Sequence, residues 1–292
     1  MDSGVCISGE ETRRLEETWS YIESGPCSPA YNMAMDEAIM NWQRRTGMPP
    51  VLRFYSWAPA GISVGFFQKL NGSIDLEAAA KLGIPLVRRQ TGGKAVLHDH
   101  ELTYSVVIPE QHPSMPKSVK EAYLVISRGL LEGYRNLGIQ AELAAETKRQ
   151  KESSAVCFEE PSWHELTVAG KKAAGSAQTR KQGIILQHGS IPLSLDEANL
   201  FELFVYPNSA VKERARNAFR SRAVAINDLM EEPADFNKVQ AAFKSGFETG
   251  LNIRLEKFEP PPELLEEVCM LEMKYASEEW NFRREEKGEL MR

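Results

Sequence analysis

The spacing of apolar residues changes along the chain, and each change marks an element. Trp19, Tyr21 and Ile22 stand in a short β-prone run that predicts a first strand over 19–23. Met33, Ala34, Ala38, Ile39 and Trp42 then recur at helical spacing. Ser28 can cap that helix, Pro29 suits its first position, and Gly47, Pro49 and Pro50 end it. Short β-type runs follow over 51–57, 61–67 and 84–89, with a helix over 75–82, stopped by Gly83, before the third. Two further strands are predicted over 94–98 and 102–108, and in the second Leu102, Tyr104, Val106 and Ile108 share one face.

A long amphipathic helix is predicted over 117–137, with Gly138 as its stop, and residues 146–156 form a polar charged loop. The stretch 163–193 reads as a three-stranded meander with turns at Gly170-Lys171 and Gln182-Gly183. Helices dominate beyond 196, with one strand near 251–257 and a Pro260-Pro261-Pro262 hinge before a final helix over 263–280. Strands arrive as hairpins and meanders between helices. The expected fold class is therefore α+β, with mixed, mostly antiparallel sheets flanked by helices. The expected organisation is a polar lead-in over 1–16, a catalytic unit over 17–255 and a helical tail over 256–292.

Composition narrows the function classes. With 292 residues, 42% apolar and 26% charged, the chain can bury a sizeable core without disulfides or metals. The sum of 35 Lys+Arg and 41 Asp+Glu is −6, a poor balance for coating nucleic acid, which needs basic surface to neutralise phosphates. No apolar run approaches the ~18 residues of a membrane span, and the polar N-terminus lacks the apolar core of a secretory leader. Four cysteines, at 6, 27, 157 and 269, include no CxxC pair, and His98 and His100 flank Asp99 without completing a metal motif. No metal or cofactor is expected, and the cysteine usage points to a reducing cytoplasm.

Three segments carry candidate chemistry. In the first, Arg88-Arg89-Gln90-Thr91-Gly92-Gly93-Lys94, two glycines let a ligand approach the backbone, and the cations favour an anionic or carbonyl group. The same pattern also fits an ordinary glycine hairpin with solvated cations. In the second, Cys157 follows the charged loop and precedes Pro161-Ser162, which makes it one candidate nucleophile; Cys27, just before a helix cap, is the rival. In the third, Gly170-Lys171-Lys172-Ala173-Ala174-Gly175-Ser176, the small residues leave either a groove for a thin apolar ligand or a close-packed strand. Lys172 would stand beside that groove. His98, His164 and His188 are the histidines available as general bases, though a single strand histidine more often serves as a hydrogen-bonder.

Taken in order, these segments resemble the lipoate–protein ligase A and biotin-ligase superfamily, and within it the cysteine-dependent octanoyltransferase branch. The resemblance rests on Asn32-Met33-Ala34-Met35-Asp36-Glu37-Ala38, on the 88–99 segment through His98-Asp99, and on Cys157-Phe158 with Pro161-Ser162. It rests also on residues 170–178, on Gln187-His188-Gly189-Ser190-Ile191 and on Tyr275 through Trp280. It implies a ligase-type catalytic-domain fold resembling class II synthetases, and transfer of octanoyl from acyl carrier protein to a lysine of the glycine-cleavage H protein. By motif, Cys157 matches the acyl-thioester nucleophile, and Lys172 matches the lysine that lowers the thiol pKa and helps activate the acceptor amine. Arg88, Gly92, Gly93, Lys94, His98, Gly175 and Ser176 are the expected substrate-binding residues.

Lys94 stands where ATP-using ligases resemble one another in a third glycine, and little chain follows Trp280 for an accessory domain. Both points favour transfer from an activated thioester over adenylate chemistry. Ala173 departs from the branch, which more usually has a branched residue there. The competing readings are an amidotransferase moving octanoyl from H protein to an E2 domain, an ATP-dependent ligase, and a non-catalytic acyl-protein binding module. An acidic carrier would need a local basic patch; Lys212, Arg214, Arg216, Arg220 and Arg222 form the densest one, and Lys148, Arg149 and Lys151 lie just before Cys157.

Overall fold

The computed structural model describes residues 17–70, 72–143 and 166–284. The polar lead-in, the charged loop, Cys6, Cys157 and His164 lie outside the described residues.

The first strand, β1 (Glu17–Cys27), runs further than its aromatic core suggests because a neighbouring strand pairs with it as far as Cys27. Helix α1 (Pro29–Thr46) begins and ends as its caps dictate. The Ser28 side chain accepts the Tyr31 N–H, Pro29 sits where no N–H is needed, and Gly47 closes the helix at φ 66°. Next come β2 (Val51–Trp57), β3 (Gly61–Val64), α2 (Leu76–Lys81), β4 (Leu86–Arg88), β5 (Val96–His98) and β6 (Glu101–Pro109). Ser118 caps α3 (Val119–Asn136), which precedes β7 (Glu142–Leu143). The predicted meander is β8 (Leu166–Val168), β9 (Lys171–Lys181) and β10 (Ile184–Pro192), and its turns hold Ala169, Gly170, Gln182 and Gly183 at positive φ. The chain finishes with α4 (Glu197–Glu202), α5 (Ser209–Arg222), α6 (Phe236–Leu251), β11 (Ile253–Lys257), α7 (Pro262–Ala276) and α8 (Glu278–Asn281).

The large sheet has the order β11-β1-β2-β6-β10-β9-β8-β7, and β4-β3-β5 form a small second sheet. In the large sheet the pairings β11-β1 and β1-β2 are parallel, and the remaining ones are antiparallel. The fold is thus the mixed, mostly antiparallel α+β arrangement that the pattern predicts. Among the described residues no helix is long and apolar enough to cross a membrane.

Strand β6 shows how the two faces divide. Leu102, Tyr104, Val106 and Ile108 pack into a core with residues of α3 and α6, such as Ile126 and Phe247. Val107, on the other face, packs with α1 and α7 residues such as Ile39 and Leu264. On that second face Thr103 and Ser105 are also buried, so the α1 side of the sheet carries polar groups into the interior.

Helices α3 and α6 approach closely because glycines line their contact. A Cβ on Gly246 would lie 2.3 Å from the Gly133 nitrogen, and one on Gly129 would lie 2.5 Å from the Phe247 ring. On the opposite side, α7 and α8 are bonded onto α1 and β4: the Tyr275 hydroxyl donates to Glu37 at 2.6 Å, and the Trp280 indole donates to the Arg88 carbonyl at 2.8 Å.

Gly246→Val should therefore force α6 away from α3. Overpacking of this kind costs about 2 kcal/mol or more. The expected fall in thermal midpoint, roughly 4 °C or more, is read by circular dichroism; an unchanged midpoint would contradict the close approach.

Candidate active site

The buried residues of helix α1 are apolar apart from Asn32, Asp36, Glu37 and Gln43, with Asn32 and Asp36 one turn apart, and strand β2 is apolar except at Arg53 and Ser56. The three residues at 32, 36 and 53 meet. Arg53 is fully buried; its Nη1 donates to Asp36 Oδ1 at 2.8 Å and to the Asn32 carbonyl at 3.0 Å, and its Nη2 donates to Asn32 Oδ1 at 2.8 Å. Ser105 of β6 donates to the same Asp36 oxygen at 2.8 Å. Burial pushes the Asp36 carboxyl upward, but hydrogen bonding from His188, the Arg53 charge and the Ser105 hydroxyl outweigh it and hold the group below the usual carboxylate range.

From Asp36 a line of bonds crosses to the glycine loop. His188 of β10 has Nδ1 3.1 Å from Asp36 Oδ2 and Nε2 2.7 Å from Thr91 Oγ1, and Arg89 Nε donates to Thr91 Oγ1 at 3.2 Å. An ionised carboxylate only accepts, so Nδ1 carries the proton and Nε2 accepts from the Thr91 hydroxyl. Burial, followed by the nearby Arg89 and His98, lowers the His188 pKa despite Asp36, consistent with that neutral ring.

Arg89 starts a second line of the same kind. Its Nη1 donates to Ser63 Oγ at 3.0 Å, Ser63 Oγ lies 2.7 Å from His98 Nε2, and His98 Nδ1 lies 2.8 Å from Glu101 Oε1. Glu101 also accepts from Thr103 and Ser190. Trp57 donates its indole N–H to Thr103 at 2.8 Å and stacks flat on the His98 ring at 4.0 Å. The remaining nitrogen of Arg89, Nη2, donates to the Gly92 and Lys94 carbonyls, each at 2.8 Å. One buried guanidinium therefore sets both histidines and the shape of the loop between them.

These groups wall a cleft of about 610 Å³, counted to its open mouth. Met33, Tyr55, Trp57 and Val96 supply apolar lining, Ser63, Arg89, Thr103 and Ser190 polar lining, and His98 and His188 both border it. Gly93 borders it at φ 99°. On the sheet side, Gly175 and Ser176 of β9 face Gly189 of β10. A Cβ at Gly189 would come within 2.5 Å of the Gly175 carbonyl and 2.7 Å of the Tyr104 ring, so β9 and Tyr104 pack this closely only against glycine.

The expected substrate-binding residues separate. Gly93, His98, Gly175 and Ser176 line the cleft. Gly92 and Lys94 shape the loop through the carbonyls that Arg89 holds. Arg88 does not line the cleft: it is fully buried, and its guanidinium donates to the carbonyls of Gly65, Gln68 and Asn281. Adjacent strand residues point to opposite faces, so of the arginine pair it is Arg89 that reaches the site. Lys172, 3% exposed, lies on β9 three residues before Gly175, and its carbonyl accepts the Val224 N–H at 3.0 Å. Of the other cysteines, Cys27 is half-buried; burial pushes its thiol pKa up, Arg53 lowers it and Glu272 raises it again. That direction is unfavourable for a nucleophile.

Sequence reasoning passes over Asp36, Arg53, Thr91, Ser63 and Glu101 as site residues and gives Arg89 only as one of the cations flanking the glycine pair. Their signal is a polar residue in an otherwise apolar stretch: Asn32 and Asp36 four apart on a helix, and Arg53 inside Val51–Trp57. His98 and His188, each undistinguished alone, acquire meaning when they border one cleft.

Because His188 is held neutral, protonating it opposes folding. The unfolded residue titrates near ~6.5, so as pH falls below that value the unfolded chain gains a proton that the fold resists, and stability drops. Asp36 contributes in the same direction at lower pH: its stabilisation is present above the unfolded carboxylate value and is lost as pH falls through the lowered folded one. His188→Gln should flatten the loss of stability between pH ~6.5 and ~5, measured as urea midpoints against pH. An identical slope in variant and wild type would refute the neutral-ring assignment.

A family model described as lipoyl protein ligase A/B catalytic domain matches residues 28–248. The chain is 54% identical over 276 residues to octanoyltransferase LipM of Bacillus subtilis (strain 168), a match covering 92% of this chain and 99% of that protein. It is 50% identical over 276 residues to octanoyltransferase LipM of Staphylococcus aureus, covering 92% of this chain and all, 100%, of that protein. Among solved structures it is similar to a bipartite lipoate protein ligase of Thermoplasma acidophilum, with a TM-score of 0.76, 24% identity and coverage of 93% of this chain and 98% of that one; this likeness speaks for the fold. It is likewise similar to lipoate-protein ligase A bound with ATP, with a TM-score of 0.73, 25% identity and coverage of 92% and 100%. The chain belongs to the lipoyl protein ligase A/B catalytic-domain family, within which it is an octanoyltransferase of lipoate biosynthesis.

Proposed function

We propose that the chain takes octanoyl from octanoyl-acyl carrier protein onto Cys157 as a thioester and passes it to a lysine of the glycine-cleavage H protein. The reaction belongs to the cytoplasm, where both protein substrates would be met. The observation that carries the reading is the cleft, whose apolar lining and absence of a side chain at Gly175 suit a straight acyl chain.

In the first step the Cys157 thiolate attacks the donor thioester carbonyl, and the carrier's sulfur leaves as a thiolate that takes the proton of the Lys172 ammonium. In the second, the acceptor amine attacks the Cys157 thioester, the amide forms, and the cysteine sulfur is released. Lys172, buried on the strand that contributes Gly175, is the general base of this reading. As an ammonium it favours the thiolate; once the sulfur is acylated, that anionic partner is gone and the lysine releases its proton more readily.

Gly93 supplies the electrophilic help. The Gly92 carbonyl faces Arg89, and in a trans peptide the following N–H points the opposite way. The Gly93 N–H is thereby directed away from the guanidinium and serves as an oxyanion donor at the cleft edge. Lys94 and the other loop residues then act by holding that amide in place.

Incubation with octanoyl-carrier protein, without ATP, should add one octanoyl mass that hydroxylamine removes and that Cys157→Ser does not acquire. Lys172→Ala should slow adduct formation by about 100-fold or more. An unmodified wild type, with acceptor labelled only from free octanoate and ATP, would establish the ligase reading instead. Offering H protein and an E2 domain as separate acceptors of the preformed adduct decides the acceptor: transfer to the E2 domain alone would overturn the H-protein assignment.

A further inference from the structure

An enzyme with a net charge of −6 that receives a strongly acidic carrier needs a local cationic surface. The basic cluster that the sequence singles out on α5 is already largely matched within the chain. Lys212 lies 2.7 Å from Glu202, Arg220 lies 2.6 Å from Glu197, and Arg216 lies 3.7 Å from Glu213 and over the Phe201 ring. A partner docking there would compete with those carboxylates.

The loop after β3 is built differently. Phe67 is 71% exposed, more than any other large apolar side chain among the described residues. Its ring stands edge-on to Phe66 at 4.9 Å. The Arg284 guanidinium lies 5.3 Å from the Phe67 ring, and that of Arg283 lies 4.3 Å from Phe66 and 4.6 Å from Trp280. Lys69, two residues after Phe67, is exposed as well. Glu278 and Glu279 open α8, whereas the two arginines follow its last residue, so the acids and the cations stand at opposite ends of that short helix.

This patch adjoins the cleft. The Phe66 N–H donates to the Thr91 carbonyl at 2.8 Å, and the backbone at Gly65 passes so close to Gly93 that a Cβ there would lie 2.0 Å from the Gly93 carbonyl. Arg88 anchors the loop from below through the Gly65 and Gln68 carbonyls. The patch is therefore an exposed aromatic on a rigid base, edged by three cations, beside the glycine that borders the acyl cleft.

We propose that Phe67, Lys69, Arg283 and Arg284 form the docking surface for the acidic carrier protein that delivers the octanoyl thioester; the proposal rests on the function set out above. Phe67 supplies the apolar anchor. The arginines, weakly hydrated and stacked on rings, lose little on being covered by carboxylates. The cations draw the carrier towards the cleft mouth, so association weakens with salt.

The test measures binding of carrier protein without an acyl chain, by fluorescence anisotropy at low salt, apart from any chemistry. Lys69→Glu/Arg283→Glu and Phe67→Ser should each weaken binding at least tenfold and leave the thermal midpoint unchanged. Acylation by the small thioester octanoyl-pantetheine should proceed at the wild-type rate in both. Arg214→Glu/Arg216→Glu on α5 should bind carrier like the wild type. Equal affinity in the patch variants, loss of binding in the α5 variant instead, or loss of acceptor transfer with carrier binding intact would each overturn the proposal. If the wild type binds carrier through the patch but acquires no adduct, docking stands and the thioester reading falls.

Discussion

The structure turns on one charge that has no access to water. Arg53 is completely buried in the middle of β2, and the Asp36 carboxylate answers it from α1. Breaking a buried pair by removing one partner commonly costs about 3–5 kcal/mol, because the other charge is left uncompensated. That requirement docks α1 on the sheet at one register. Asn32 must fall one turn before Asp36, Ser105 must face them from β6, and His188 must arrive beside them from β10. Every later feature of the site is measured from this point.

Arg89 extends the same logic outward. It is the second buried guanidinium of the site, and its donors are divided between Thr91, Ser63 and the two loop carbonyls. Because a guanidinium is planar and cannot lose its proton, its donor directions are fixed by where its stem is packed. The two histidines and the Gly92-Gly93 turn inherit that geometry. The cleft is thus made rigid by polar bonds on one side and by the close-paired strands β9 and β10 on the other. A ligand entering the cleft meets a shape already formed, and little ordering is left to oppose its binding.

Much of the architecture is legible in the sequence. Ser28-Pro29 and Gly47 mark the ends of α1, Gln182-Gly183 turns β9 into β10, and the alternating Leu102 to Ile108 points to the sheet face that the helices cover. These are local effects of backbone chemistry and of periodicity, and a linear sequence carries them in full. The strand ends were less legible, since β1 continues to Cys27 only because β2 pairs with it. The site was half legible. Gly93, His98, Gly175 and Ser176 stand at the cleft, but in the Arg88-Arg89 pair it is the second arginine that faces it.

The sequence by itself determined the fold class, the elements and the order of the family's motifs, because caps, turns and hydrophobic spacing act between residues close along the chain. Only the tertiary structure decided which of these residues share a site. Asp36, Arg53, Thr91, His98 and His188 come from α1, β2, the glycine loop, β5 and β10, and nothing in their spacing along the chain encodes a hydrogen bond between them. The same holds for surface charge. The basic run on α5 is the densest in the sequence, yet folding sets acidic side chains beside it, while Phe67 and Arg284, more than 200 residues apart along the chain, meet on the loop that is bonded to Thr91. Burial and pairing are properties of the packed chain: they depend on which groups exclude water from one another.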